Sequence, residues 1–148
     1  MNDTSAITPA QISLVKETWA RVVPISETAA KLFYARLFET SPQLAPMFDG
    51  VDQKAQRQKL VKAINMVVMS LERIEMLIPA IQDMGRRHVD YGVEDSHYGL
   101  VAAALLWTLE TGLGEGWSKE AETAWTKAYQ ILADTMIEGA SQASRAAA

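Results

Sequence analysis

Apolar residues in this chain recur at intervals of three and four, and no segment alternates apolar and polar residues at a period of two. The pattern predicts an all-α protein. Thr8, Pro9 and Gln11 open a first helix: Thr8 suits the N-cap, Pro9 the first helical position, and Gln11 can reach back to complete a capping box. Ile12, Val15, Trp19 and Val22 form its apolar face. A second helix is expected over about residues 25–38, with Ala29, Leu32, Phe33, Leu37 and Phe38 as its stripe. Ser41-Pro42 stops it and starts a short helical turn carrying Leu44, Met47 and Phe48. Residues 49–55 are polar and read as a corner, from which a long helix runs over about 53–70 on Leu60, Ile64, Val67, Val68 and Leu71. A shorter helix covers about 76–88. Asp95-Ser96 is expected to cap the next, built on Tyr98, Val101, Leu105 and Leu109 and ended by Gly112, Leu113 and Gly114. Ser118 caps the last, whose stripe is Trp125, Tyr129, Leu132 and Met136, and residues 141–148 are expected to fray.

A chain of 148 residues, 49% apolar and with no interdomain linker, fits one domain over 1–148 with a sizeable core. It has no cysteine, which excludes disulfides, thiolate metal sites and thioether attachment of a cofactor. A net charge of −4 argues against nucleic acid as a partner. The apolar run at 101–107 is far too short to span a membrane, and the polar start does not read as a secretory signal, so a cytoplasmic location is expected.

Only two histidines are present, His88 and His97. Leu77, Ile81, Met84 and His88 are spaced i, i+4, i+7 and i+11, which puts them on one helix face, and Gly92-Val93 turns the chain soon afterwards. A histidine at the inner edge of such a face can offer an imidazole nitrogen to a metal, but a lone histidine is more often a core residue bonded to a carbonyl. His97 also precedes an apolar stripe, and spacing barely separates the two. Unequal helices, one ending in a histidine, suit a cofactor pocket between helices and equally an ordinary bundle.

Four groups of residues nevertheless make the chain resemble the globins, in particular bacterial single-domain globins similar to the haem part of flavohaemoglobins and to neuroglobin-like bacterial globins. They are Leu32-Phe33-Tyr34-Ala35-Arg36-Leu37-Phe38; Ser41-Pro42 followed by Pro46-Met47-Phe48-Asp49; Gly85-Arg86-Arg87-His88 with Tyr91-Gly92-Val93; and Ser96-His97-Tyr98-Gly99-Leu100-Val101 together with Ala124-Trp125-Thr126-Lys127-Ala128-Tyr129. The likeness spans about residues 9–138 in order. It implies the globin fold, six to eight helices around non-covalent haem b (iron protoporphyrin IX), with His88 as the metal ligand and His97 at the start of the following helix.

The same resemblance implies that Tyr34 faces a ligand bound on the distal side, where its hydroxyl can donate to a gas that accumulates negative charge, as dioxygen does. Gln56, four residues before Leu60, becomes a second donor and Leu60 the apolar wall. Gln58 is the alternative, but its own i+4 neighbour is Lys62, which argues for an exposed face. Phe48 and Phe33 are expected against the haem, with Ile64, Met84, Val93, Val101 and Leu105 as further walls. Lys59 and Arg87 flank the pocket and can meet the propionates, or are simply solvated helix charges. Tyr98, ten residues after His88, matches the proximal tyrosine of flavohaemoglobins. The glutamate that accompanies it there falls at Ala140 here. The nearest acid, Glu138, is offset by two residues and turned by roughly 200°.

These implications favour reversible binding of dioxygen, with nitric oxide and carbon monoxide as further ligands, for storage, delivery or sensing. The alternative is a nitric oxide dioxygenase served by a separate reductase, since the chain ends soon after its last helix and no reductase module is expected. A haem-free signalling module is disfavoured by His88, Tyr34 and Gln56 together.

Overall fold

Thr8 Oγ1 accepts the Gln11 backbone N–H at 3.1 Å, and Gln11 Oε1 accepts the Thr8 N–H at 2.9 Å. This capping box satisfies two donors that a helix start would leave orphaned. It opens α1, Pro9–Val22, in a computed structural model that describes residues 7–147. A 3-10 turn, Val23–Ile25, leads into α2, Ser26–Thr40, and a second, Pro42–Phe48, follows it. Asp52 then caps α3, Gln53–Met69, its carboxylate accepting the N–H groups of Lys54 and Ala55 at 3.0 and 3.3 Å. After a 3-10 stretch, Leu71–Met76, come α4, Ile78–Asp90, and α5, His97–Leu113. A final 3-10 turn, Gly114–Gly116, precedes α6, Lys119–Ala147. No strand occurs among the described residues.

Two helix starts differ from expectation. The helix expected from residue 76 begins at Ile78, because Leu71–Met76 forms its own 3-10 segment, with Arg73 out of helical geometry at φ −134° and ψ 40°. Pro79, which has no N–H to donate, fits the first turn that follows. Ser96 stands at the N-cap of α5 but its side chain makes no capping bond. His97 Nδ1 instead accepts the backbone N–H of Glu94 at 3.0 Å. The last helix is continuous through Ala147.

The helices pack chiefly as α4 on α6, α1 on α6 and α2 on α5. Trp19 and Trp125 meet in the core with ring centroids 6.1 Å apart. Each indole N–H is satisfied, Trp125 donating to Thr18 Oγ1 at 2.8 Å and Trp19 to Asn65 Oδ1 at 3.0 Å, so burial of these rings leaves no donor stranded. The seam locks α1 between α3 and α6.

Candidate functional site

The sequence of α2 places Phe33, Tyr34, Leu37 and Phe38 on its inner side, and three of them are buried. Tyr34 is only 8% exposed. Its ring meets Phe33 edge-on at 4.9 Å and Phe48, from the 3-10 segment, at 5.6 Å. Phe38 joins the cluster, 6.0 Å from Tyr34 and 5.3 Å from Phe48. Spacing marks Phe38 only as a stripe residue; its contact with Tyr34 is an i, i+4 pair, but Phe48 comes from a segment ten residues further on.

The polar end of Tyr34 is met by α3. Gln56 Nε2 donates to the Tyr34 hydroxyl oxygen at 3.1 Å, across 22 residues of sequence. Burial raises the Tyr34 pKa and the Gln56 bond lowers it, burial being the larger effect, so the phenol stays protonated well past neutrality. The arrangement differs from a pair of independent donors: Gln56 gives one N–H to Tyr34, and the Tyr34 hydrogen remains to be given elsewhere. Gln58 is exposed.

Leu60 and Ile64 continue the inner face of α3. With Phe33 and Leu105 they border a small apolar recess of about 20 Å³ that reaches back to Trp19. Phe48, Leu60, Ile64, Met84, Val93 and Val101 are each half-buried, whereas Leu105 is 9% exposed. These apolar walls therefore keep surface that the protein itself does not cover. Lys59 is exposed, and Arg87 is exposed and paired with Asp83 at 3.7 Å.

His88 lies in the last turn of α4. Its Nδ1 is 2.6 Å from the Met84 carbonyl oxygen, an acceptor, so Nδ1 carries the hydrogen and the lone pair falls on Nε2. Nε2 makes no hydrogen bond among the described residues. Beyond it the helix closes in a Schellman motif: Val93 N–H donates to the His88 carbonyl at 3.0 Å and Gly92 N–H to that of Val89 at 2.9 Å. Gly92 has φ +88°, which only glycine adopts without strain. A Cβ there would lie 3.9 Å from Met47 Cε, which puts the corner after His88 against the segment that carries Phe48. Contacts thus run from the histidine corner through Met47 and Phe48 to Tyr34 and Gln56.

The Tyr98 hydroxyl has no hydrogen bond to His88 among the described residues, and the Tyr98 carbonyl accepts the Tyr129 hydroxyl at 2.8 Å. Burial, reinforced by Asp95, raises the Tyr98 pKa. Glu138 Oε1 accepts from Gln82 Nε2 at 3.5 Å on an exposed flank of α4, and Ala140 stands half-buried with no polar group to offer. His97, bound to the Glu94 N–H through Nδ1, holds a helix start.

No group of three or more His, Asp or Glu residues gathers to hold a metal ion among the described residues. One imidazole with a free Nε2, half-covered apolar walls and a buried phenol instead match a metal whose other ligands come with a flat apolar macrocycle. The donor set fits haem.

Residues 31–136 match the family described as Globin, and the chain belongs to the globins. It is 30% identical to a flavohemoprotein of Bacillus subtilis (strain 168) over 128 residues, which is 85% of this chain and 32% of that protein. A flavohemoprotein of Rhodopirellula baltica is 32% identical over 133 residues, 87% of this chain and 33% of the relative. The chain therefore spans about a third of the length of these curated relatives. Among solved structures, a bacterial globin from Campylobacter jejuni superposes with a TM-score of 0.83 at 26% identity, covering 93% of this chain and 99% of that one. A hexacoordinated heme protein from an anhydrobiotic tardigrade shares the fold at a TM-score of 0.79 and 17% identity, over 94% and 99% of the two chains.

Proposed function

We propose that this globin holds haem b non-covalently on His88 and binds dioxygen reversibly beneath Tyr34 and Gln56, for storage, delivery or sensing. Haem held there supplies an iron with one position open to a diatomic gas: dioxygen, nitric oxide or carbon monoxide. Phe33, Phe48, Leu60, Ile64, Met84, Val93, Val101 and Leu105 contribute the apolar contact, at roughly 25 cal/mol per Å² of surface removed from water. Lys59 and Arg87, both exposed, are the cations assigned to the propionates.

The observation that carries the reading is the 3.1 Å bond from Gln56 Nε2 to the Tyr34 oxygen. By filling the acceptor side of the phenol, Gln56 orients its hydrogen outward, and donation into that oxygen strengthens the phenol as a donor. Such a donor favours a gas that gathers negative charge over one that does not. A haem-free signalling module would have no use for this polar pair.

The test is the Tyr34→Phe variant. A hydrogen bond to a charge-bearing partner contributes about 1.5–3 kcal/mol, a factor of roughly ten to a hundred. Dioxygen is expected to dissociate faster by that factor while carbon monoxide dissociation changes little. Equal acceleration of both gases, measured by stopped flow, would assign Tyr34 a packing role instead.

The likeness to flavohemoproteins supports a second reading on the same pocket. Nitric oxide and dioxygen would be converted to nitrate with one electron from a separate reductase. Nitrate formation in steady turnover with an added reductase separates this enzyme from a carrier.

A further inference from the structure

Two glycines bring α4 and α6 into direct backbone contact. A Cβ on Gly85 would stand 1.9 Å from the carbonyl oxygen of Met136, and a Cβ on Gly139 would stand 2.2 Å from that of Gln82. The contact is reciprocal: each helix supplies one glycine and receives the other's on its own backbone, three residues along, as antiparallel neighbours must. In the direction of the missing Cβ each glycine turns a Cα hydrogen toward the facing carbonyl, a weak attraction that recurs where helices touch. Helices separated by side chains pack about 8–10 Å apart. Here the obstacle to any larger residue is main chain, which cannot rotate aside. Glycine inside a helix is unfavourable relative to alanine, so both residues stand against helix propensity. By contrast, Gly99 in α5 has nothing within 4 Å of where its Cβ would be.

The position of the contact gives it a consequence beyond packing. Gly85 precedes His88 by three residues, which sets the two roughly 60° apart around α4. Its neighbour Met84 supplies the carbonyl that holds His88 Nδ1 at 2.6 Å. The turn pinned against α6 is therefore the turn that orients the imidazole. We infer that Gly85 and Gly139 are positioning residues for His88, setting where α4 stands on α6 and so the reach and tilt of the ring toward the haem. The inference rests on His88 carrying haem, as proposed above. A methyl group at either position pushes α4 away from α6 and carries the imidazole with it, which tilts or lengthens its bond to the metal.

The test compares wild type with Gly85→Ala, Gly139→Ala, the double variant and Gly99→Ala, each as the full chain. Two readouts are taken: hydrogen exchange of α4 amides without haem, and the iron–histidine stretch by resonance Raman in the ferrous haem-loaded protein. Each single variant at 85 or 139 is expected to speed α4 exchange, lower the stretch and weaken haem retention about tenfold, the scale seen when a partner of a metal-binding histidine is lost. The double variant is expected to add little to the stronger single one, because one separation relieves both clashes. Gly99→Ala is expected to match wild type. Faster exchange with an unmoved stretch would overturn the inference, since the contact would then hold the helices without placing the ring. If Gly85→Ala does not fold, Gly139→Ala carries the comparison. A crystal structure of the haem-loaded wild type with room for a Cβ at either glycine overturns the inference without any variant. A wild type that takes up no haem while its α4 amides stay protected overturns the haem reading and this inference together. Haem-loaded wild type with indifferent glycine variants overturns only the inference.

Discussion

His88 and His97 differ in what their Nδ1 atoms do. Nδ1 of His88 faces a carbonyl and must carry hydrogen, which leaves Nε2 with its lone pair. Nδ1 of His97 faces the Glu94 N–H and must accept, so the hydrogen of the neutral ring sits on Nε2, 4.0 Å from the Glu94 carboxylate. Only the first tautomer is ready to ligate through Nε2. His88→Ala is therefore expected to abolish the haem absorption spectrum and His97→Ala to leave it nearly intact, at most loosening the start of α5. The opposite pattern in the two spectra would reassign the ligand. Spacing along the sequence cannot make this distinction, because both histidines border apolar stripes. What separates them is one backbone partner apiece, and the family resemblance reaches the same choice by a different route. The Tyr34–Gln56 pair was legible only through that resemblance, since the two side chains are 22 residues apart and lie on different helices.

At the scale of elements, helix ends marked by side-chain chemistry were legible. Thr8 with Gln11 and Ser118 cap as their residue types require, the Ser118 hydroxyl accepting the Ala121 N–H at 3.0 Å. The 3-10 segment Leu71–Met76 was not, because it is too short to show an apolar stripe and merges with the periodicity on either side. The Gly85–Gly139 contact was invisible for another reason: a glycine within a helix reads only as lost propensity, and nothing local names the backbone it will touch. Gly92 is the opposite case, a glycine whose role its position announces. Replacing it with alanine forces a Cβ residue to φ +88°, at a cost of about 1–2 kcal/mol. Gly92→Ala is expected to lower stability by that amount in urea titration and to weaken the Val93-to-His88 backbone bond, raising hydrogen exchange at Val93. A variant as stable as wild type would mean that the corner relaxes into another turn.

At the scale of the molecule, the three phenols Tyr34, Tyr98 and Tyr129 all have pKa values raised above the ordinary 10.0, in each case chiefly by burial. Tyr129 is the most affected; it fastens α6 to the first turn of α5 through the Tyr98 carbonyl at 2.8 Å. A group whose pKa is raised on folding keeps its proton more tightly in the folded state than in the unfolded one. Its contribution to stability is fully present below the unfolded value and is lost as pH climbs toward the folded one. The fold is thus expected to hold its stability with respect to these groups up to about pH 10 and to lose it above, at about 1.4 kcal/mol per pH unit for a fully protected phenol. Tyr129→Phe removes one such phenol together with its bond to Tyr98. It is expected to be less stable than wild type at pH 8, by about 1 kcal/mol for the lost hydrogen bond, and to decline more gently between about pH 10 and 12. Urea titrations of the two proteins across that range read the difference in slope, in which the lysines common to both cancel. Parallel declines would show that the Tyr129 proton is not held by the fold, and that the joint between α5 and α6 opens before its phenol ionises.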